Sequence, residues 1–273
     1  MSDHTKHPGL HEDYHKGITL KGAWARTKLE WKYMTQESWT FDDVGQHWDA
    51  TEEYDDVNAE TYSYFQRFVD GLKYSTIPDA ASILDICCRT GNGTAYFAEH
   101  GKVRYSICAD VSERFLHLAH TYLEELDIPH ETLFFQELPL KLDDASVEAI
   151  LCFETLEHVP DPEAFVNELG RVIVDGGEMV LTTPNFLWEP VHWLAAIINL
   201  HHSEGPHRFL RYRRLVRSVQ AAGFTIEQDR GTILIPDGPK WLVEWGRRLE
   251  GRFPALAHRL ALRRVLICRK KGA

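Results

Sequence analysis

The chain has 273 residues, 44% hydrophobic, 26% charged and 11% aromatic, with 30 Lys and Arg against 41 Asp and Glu for a formal charge of −11. This composition belongs to a folded globular protein and excludes a disordered or collagen-like chain. The charge is polarised: residues 207–273 hold sixteen Lys and Arg against five Asp and Glu, a net +11, so residues 1–206 carry −22. An acidic body argues against nucleic-acid binding by the whole protein, because phosphate contacts need a positive field, and leaves the basic final quarter for an anionic partner.

Residues 1–20 place His4, His7, His11 and His15 among polar residues. No Cys or well-placed carboxylate completes a metal site there, so the segment reads as a flexible tail, and no metal is expected in the chain. Residues 21–80 read as a helical, aromatic cap. Aromatics thicken from Trp24 to Trp48, and Asn58–Tyr74 carries Tyr62, Phe65, Phe68, Val69 and Leu72 near helical spacing ahead of Pro78.

From Ala81 short apolar runs alternate with amphipathic segments. Strands are expected over Ser82–Cys87, Arg104–Ala109, Thr132–Phe135, Val147–Phe153 and, after a Gly176-Gly177 turn, Glu178–Thr182. Helices are expected over Gly91–His100, from the N-cap Ser112 to Leu126, and from Asp161-Pro162-Glu163 through Val172. Beyond Pro184 come a helix over Arg211–Ala222, a strand over Phe224–Gln228, a helix over Trp241–Arg252 and a strand over Arg264–Cys268. Strands and helices alternating at this spacing imply right-handed crossovers and an α/β fold: a Rossmann-like, doubly wound, mostly parallel sheet. The five cysteines, with no paired C-x-x-C motif, read as reduced thiols of a cytoplasmic protein. The longest apolar stretch, Val191–Leu200, falls short of the ~20 residues that span a bilayer, while a surface helix touching a membrane or a lipid substrate stays open.

Ligands of such sheets bind outside the carboxyl ends of the strands. After the first strand comes Asp85-Ile86-Cys87-Cys88-Arg89-Thr90-Gly91-Asn92-Gly93-Thr94, whose small residues and following helix N-terminus offer amides to an anion. Asp110 closes the second strand, where an acid suits the two hydroxyls of a ribose. Tyr96 stands where a dinucleotide fingerprint needs its third glycine, and the Gly-Lys-Ser/Thr of a phosphate loop is absent. Asp85 would repel a pyrophosphate and favour an ammonium group. A ligand with an amino acid at one end and a nucleoside at the other fits both acids.

On these residues the chain resembles the class I S-adenosylmethionine (SAM)-dependent methyltransferases, especially the group with quinone-type and sugar or small-molecule enzymes. The resemblance runs from about Trp48 to Cys268. It rests on Ile83 to Gly93, Ala109-Asp110-Val111-Ser112, Leu138-Pro139, Leu156-Glu157-His158-Val159, Gly176-Gly177 and Thr183-Pro184-Asn185. It implies seven strands with the last antiparallel, in a core over 81–273 with a substrate lid over about 186–222 and a helical insertion over about 236–262. It also implies SAM as cofactor and S-adenosylhomocysteine as product. By that resemblance Asp85 and the Gly91 turn hold the methionyl part and Asp110 the ribose. Val111 and Gln136, Glu137 and Leu138 hold the adenine, and Cys152 and Phe153 the sulfonium side, with Trp48 and Tyr54 closing the site. Relatives carry Gly-x-Gly-x-Gly where this chain has Cys87, Arg89 and Gly91. Arg89 either swings outward, pairs with the methionyl carboxylate, or disables the fold as a catalyst and leaves a binding protein. Gln136 stands in for the Asp that often accepts the adenine amino group.

Methyl transfer to a hydroxyl needs alignment and a base. Glu154, Glu157 and His158 follow the fourth strand, and His158 reads either as that base or as a structural histidine at a helix start. His201, His202 and His207 form a second group, read as base, metal cluster or solvated loop. Arg211, Arg213, Arg214, Arg217, Arg247 and Arg248 are available for anionic groups or for a solvated helix face. The expected acceptor is a small molecule, an oxygen of a sugar, glycolipid or other polar metabolite, anionic or lipid-linked, with peripheral membrane contact through the basic C-terminal part. A quinone-type carbon is the alternative.

Overall fold

The computed structural model describes residues 20–50, 62–197, 204–236 and 238–272. His4, His7, His11, His15, Tyr54, His201 and His202 lie outside the described residues. Three helices come first: α1 (Leu20–Thr35), α2 (Phe41–Asp49) and α3 (Tyr62–Tyr74). The core follows as β1 (Ala81–Ile86), α4 (Asn92–Glu99), β2 (Val103–Asp110), α5 (Glu113–Glu125), β3 (His130–Phe134), β4 (Val147–Phe153), α6 (Pro162–Val172) and β5 (Ile173–Pro184). A 3₁₀ turn (Phe186–Trp188), α7 (Glu189–Ile197), α8 (Tyr212–Ala221), β6 (Phe224–Thr232), α9 (Lys240–Arg252), α10 (Pro254–Leu260) and β7 (Arg263–Lys270) complete the order.

The seven strands form one sheet in the order β3-β2-β1-β4-β5-β7-β6. β1 runs parallel to both β2 and β4, and β7 runs antiparallel to both β5 and β6. The winding reverses between β1 and β4, which opens a crevice at their carboxyl ends where ligands of doubly wound sheets bind. Both strands are buried on both faces, which is why they read as near-continuous apolar runs. Local chemistry fixes the helix starts. Ser112 Oγ accepts the amide of Phe115, Asp161 accepts the amides of Glu163 and Ala164, and Thr40 with Asp43 forms a capping box on α2.

Gly176-Gly177 makes a bulge inside a strand rather than a turn before one. β4 pairs Val147 with Ile173 and then Ala149 with Glu178, so β5 starts five residues earlier than the expected Glu178 and loops residues 174–177 out of the ladder. Gly176 takes φ +76°, and a Cβ on Gly177 would sit 2.9 Å from the Glu148 carbonyl. β6 and β7 exceed their apolar runs because pairing continues out to Thr232 and Arg263. Within the segment expected as a lid, α8 buries Leu215 and Val219 and packs against α6 and β6 as part of the layer covering the sheet. Among the described residues no helix is long and apolar enough to cross a membrane.

Candidate active site

The loop from β1 to α4 takes left-handed backbone at alternate residues: Cys87 at φ +53°, Arg89 at +52° and Gly91 at +79°. A side chain at such a position costs about 1–2 kcal/mol, which is the physical reason glycine is expected at all three. A Cβ on Gly91 would also lie 3.3 Å from Leu123 and 3.4 Å from Ala119, a close fit that a larger residue would have to push aside. The Arg89 amide donates to Asp110 Oδ2 at 2.9 Å, and Asp110 Oδ1 accepts from Ser112 N at 2.9 Å. Burial pushes the Asp110 carboxyl up to about 6 in spite of those amides.

Asp85, buried at the end of β1, accepts from the Thr94 amide and hydroxyl at 3.0 and 2.8 Å, tying the strand to the start of α4. Burial pushes it up to about 7. A Cβ on Gly93 would lie 3.0 Å from its Oδ2, so the helix approaches this close only with glycine there.

The Arg89 guanidinium lies over the Trp48 indole, 5.1 Å from the ring centroid. Together they fill the crevice down to about 20 Å³, bounded by Val44, Cys87, Asp110, Val111, Phe115, Glu154, Thr155 and His158. Burial pulls the guanidinium below its usual value, and Glu204, Asp110, Glu157 and Glu154 work against that shift. α2 straps the crevice from above. A Cβ on Gly45 would sit 2.3 Å from the Val111 carbonyl, Ser112 Oγ donates to Asp49, and Arg114 donates to the Trp48 carbonyl.

A larger cavity of about 600 Å³ lies beside the end of β4, walled by Trp39, Leu156, Glu157, Phe186, Trp193, His207, Phe209 and the arginines 208, 211 and 214. His207 stacks on Trp193 with ring centroids 4.3 Å apart, and its Nδ1 lies 2.9 Å from the Gly205 carbonyl. A carbonyl only accepts, so Nδ1 is assigned the proton and Nε2 keeps a lone pair. That Nε2 is buried and has no hydrogen-bond partner among the described residues. His158 is buried, with Nδ1 3.3 Å from the Pro206 carbonyl, and burial pushes its imidazole down to about 3. Glu157 accepts from Thr183 Oγ1 at 3.1 Å, and burial next to Glu154 holds it well above the usual carboxylate range. Glu154 is pulled the other way: Arg263, 3.0 Å away, and Arg67 outweigh its burial and hold it low.

The structure brings Cys87, Arg89, Asp110, Val111 and His158 onto one cavity, with Glu157 and His207 on its neighbour. Asp85 and Gly91 lie beneath, shaping the loop. Gln136 and Glu137 are exposed, Gln136 Nε2 donates to Asp42 Oδ1 at 2.8 Å, and Leu138 packs on the core, so none of the three lines either cavity. The side chains of Cys152 and Phe153 belong to the core, Phe153 meeting Phe68 edge-on, and the groups facing the crevice are the next two, Glu154 and Thr155. Sequence reasoning missed Val44, Phe115, Thr155, Trp39, Phe186 and Phe209 as lining residues. Only the aromatic thickening before Trp48 hinted that this segment docks on the core. No group of three or more His, Cys, Asp or Glu among the described residues is arranged to hold a metal ion.

A family model described as a methyltransferase domain matches residues 58–229, well over half of the chain. The chain belongs to this methyltransferase family. It is 27% identical over 191 residues to the ubiquinone biosynthesis O-methyltransferase of Alkalilimnicola ehrlichii, covering 66% of this chain and 73% of that one. Among solved structures it superposes on the [4+2]-cyclase SpnF with a TM-score of 0.65 at 16% identity, covering 86% and 98% of the two chains. It also matches the geranyl diphosphate C-methyltransferase of Streptomyces coelicolor A3(2), solved with Mg²⁺, geranyl diphosphate and S-adenosylhomocysteine, with a TM-score of 0.60 at 15% identity over 85% and 97%. At such identities these structures share the fold.

The methyltransferase is a class I, SAM-dependent enzyme. Its residues fit that cofactor in chemistry: Asp110 and Glu154 line the crevice with Asp85 beneath it, and the buried Asp110 carboxyl suits the hydroxyl donors of a ribose. Asp110 would hold the ribose, Val111 the base, and the turn at Gly91 the methionyl end. In room, the fit requires Trp48 and Arg89 to swing out of the crevice, because about 20 Å³ admits one water and no nucleoside.

Proposed function

We propose that this methyltransferase methylates an oxygen of a small hydroxylated molecule that carries an anionic group. The observation that carries the reading is the 600 Å³ cavity beside Glu157 and His207, where aromatic walls meet Arg208, Arg211 and Arg214. Rings of Trp39, Phe186 and Phe209 suit the apolar face of a sugar or a phenol, and guanidinium groups suit a carboxylate or phosphate. SAM supplies the electrophilic methyl group when bound. The chain's own task is to align the acceptor hydroxyl and remove its proton.

Of the three acid-base candidates, His207 suits the base role best: its ring lines the larger cavity and is held by Trp193, and its buried Nε2 has no hydrogen-bond partner among the described residues. His158, pushed down to about 3, is a poor proton acceptor. Glu157, pushed up, is suited to hydrogen-bonding the acceptor hydroxyl rather than ionising beside it. The relatives named for O-methylation in ubiquinone biosynthesis support oxygen over carbon as the receiving atom. Incubation with SAM and a panel of sugars, glycolipids, phenolic acids and quinols, read by S-adenosylhomocysteine release and product mass and connectivity, should give a methyl ether. A product methylated on carbon, or no release across the panel, would overturn the reading.

A further inference from the structure

We infer that α9 and α10 dock the protein on the surface of an anionic lipid bilayer. On α9, Trp241, Trp245, Arg248 and Arg252 recur at i, i+4, i+7 and i+11 and share one exposed stripe. Trp241 is 69% exposed and Trp245 52%, which is large for indoles that a globular fold could have covered. Gly246 faces inward against Ile235, so the helix lies flat on the body with that stripe outward. Next in the chain Phe253, Leu256 and Leu260 are also exposed. Trp188 Nε1 donates to the Leu260 carbonyl at 2.8 Å, which ties α10 to the 3₁₀ turn and α7, where Leu187 and Leu194 are each 56% exposed.

The charge on this surface selects the occupant. Among the described residues no salt bridge engages Lys240, Arg248 or Arg252, and Glu244 is the one exposed carboxylate of α9. A second copy of the same patch would set these cations against one another, since a two-fold interface pairs a surface with itself. A bilayer carrying anionic lipid meets both halves of the pattern: indoles settle at the level of the headgroups, and guanidinium groups meet phosphate. A helix of 13 residues rises only about 20 Å, too short to span and suited to lie in the plane. Both segments leave the carboxyl edge of the sheet, α9 and α10 between β6 and β7 and the 3₁₀ turn after β5. That edge also carries the larger cavity, whose wall includes Phe186 and Trp193, so a docked protein would present the cavity toward the lipid.

Co-sedimentation of the full chain with phosphatidylcholine vesicles, with and without about one third phosphatidylglycerol, tests the proposal. Binding should require the anionic lipid and weaken with added salt. The variants W241S/W245S and R248S/R252S should each lower the bound fraction about fivefold or more, with melting temperature and S-adenosylhomocysteine affinity unchanged. Brominated lipid should quench tryptophan emission of the parent protein and lose most of that quenching with W241S/W245S. Equal binding to neutral and anionic vesicles, or variants that bind like the parent, would overturn the proposal. So would a dimer in light scattering that W241S/W245S dissolves without any vesicle binding.

Discussion

Arg89 and Trp48 face each other across the crevice at the carboxyl ends of β1, β2 and β4, guanidinium over indole at 5.1 Å, and between them they occupy the room a nucleoside needs. Arg89 also holds a backbone conformation that glycine adopts without strain. Substituting Arg89→Gly should therefore open the crevice, remove a cation from beside the cationic cofactor and tighten SAM binding by about tenfold, or ~1.4 kcal/mol. Calorimetric titration of parent and variant checks this. Weaker binding by the variant would mean that Arg89 instead grips the cofactor's carboxylate.

If the larger cavity takes the acceptor as proposed, His207→Gln should lower turnover by about 10²-fold or more while leaving SAM affinity near that of the parent, because the side chain lines that cavity and not the crevice. Steady-state kinetics with the acceptor found by screening, alongside titration with S-adenosylhomocysteine, separate the two effects. His158→Gln should slow the reaction far less, since an imidazole pushed down to about 3 carries no proton away near neutral pH.

Glu154 and Arg263 form an ion pair at 3.0 Å with side chains 14% and 3% exposed. Replacing Glu154 alone with Leu leaves Arg263 charged and buried with Arg67 nearby, and should cost about 3–5 kcal/mol in denaturant unfolding. The double variant E154L/R263M removes both charges and should recover most of that loss.

The pH dependence of stability carries opposing signs that variants can separate. Asp85 has a folded value of about 7, above its unfolded value of about 4, so the native state binds the extra proton. Its favourable contribution is full below about pH 4 and is lost as pH rises toward 7. His158, lowered to about 3 from an unfolded value of about 6.5, acts oppositely: its contribution is full above pH 6.5 and is lost as pH falls toward 3. Asp85→Asn, which keeps an acceptor for Thr94, should gain relative to the parent as pH rises from 4 to 7, on the order of 1–3 kcal/mol. Thermal melts across that range read the difference, and parallel curves would refute the assignment.

The strands that face two helical layers, such as Val147–Phe153, were legible because a short run that is apolar apart from Glu148 is what a strand buried on both faces needs. The caps at Ser112 and Asp161 were legible because a short polar side chain before a helix has one physical use there. The loop after β1 declared its place by Asp85 and Gly91. Its left-handed backbone at Cys87 and Arg89 stayed hidden, since nothing in a cysteine or an arginine announces positive φ. Gln136, expected at the adenine from its place after β3, donates its amide to Asp42, 94 residues earlier. The larger cavity is assembled from Trp39, Phe186, Trp193 and Phe209, and pairings across such distances leave no periodic trace.

β7 lies between β5 and β6, antiparallel to both, with Arg263 to Cys268 buried. During synthesis β6 therefore emerges with no neighbour to pair with, and β5 presents an open edge, until the following strand has been made and slides between them. Unpaired edges of this kind invite pairing with other chains. A ribosome pause or a protein cut between Thr232 and Arg263 would strand two edges at once, so the quality of the whole sheet rests on eight residues that arrive last in the order of strands.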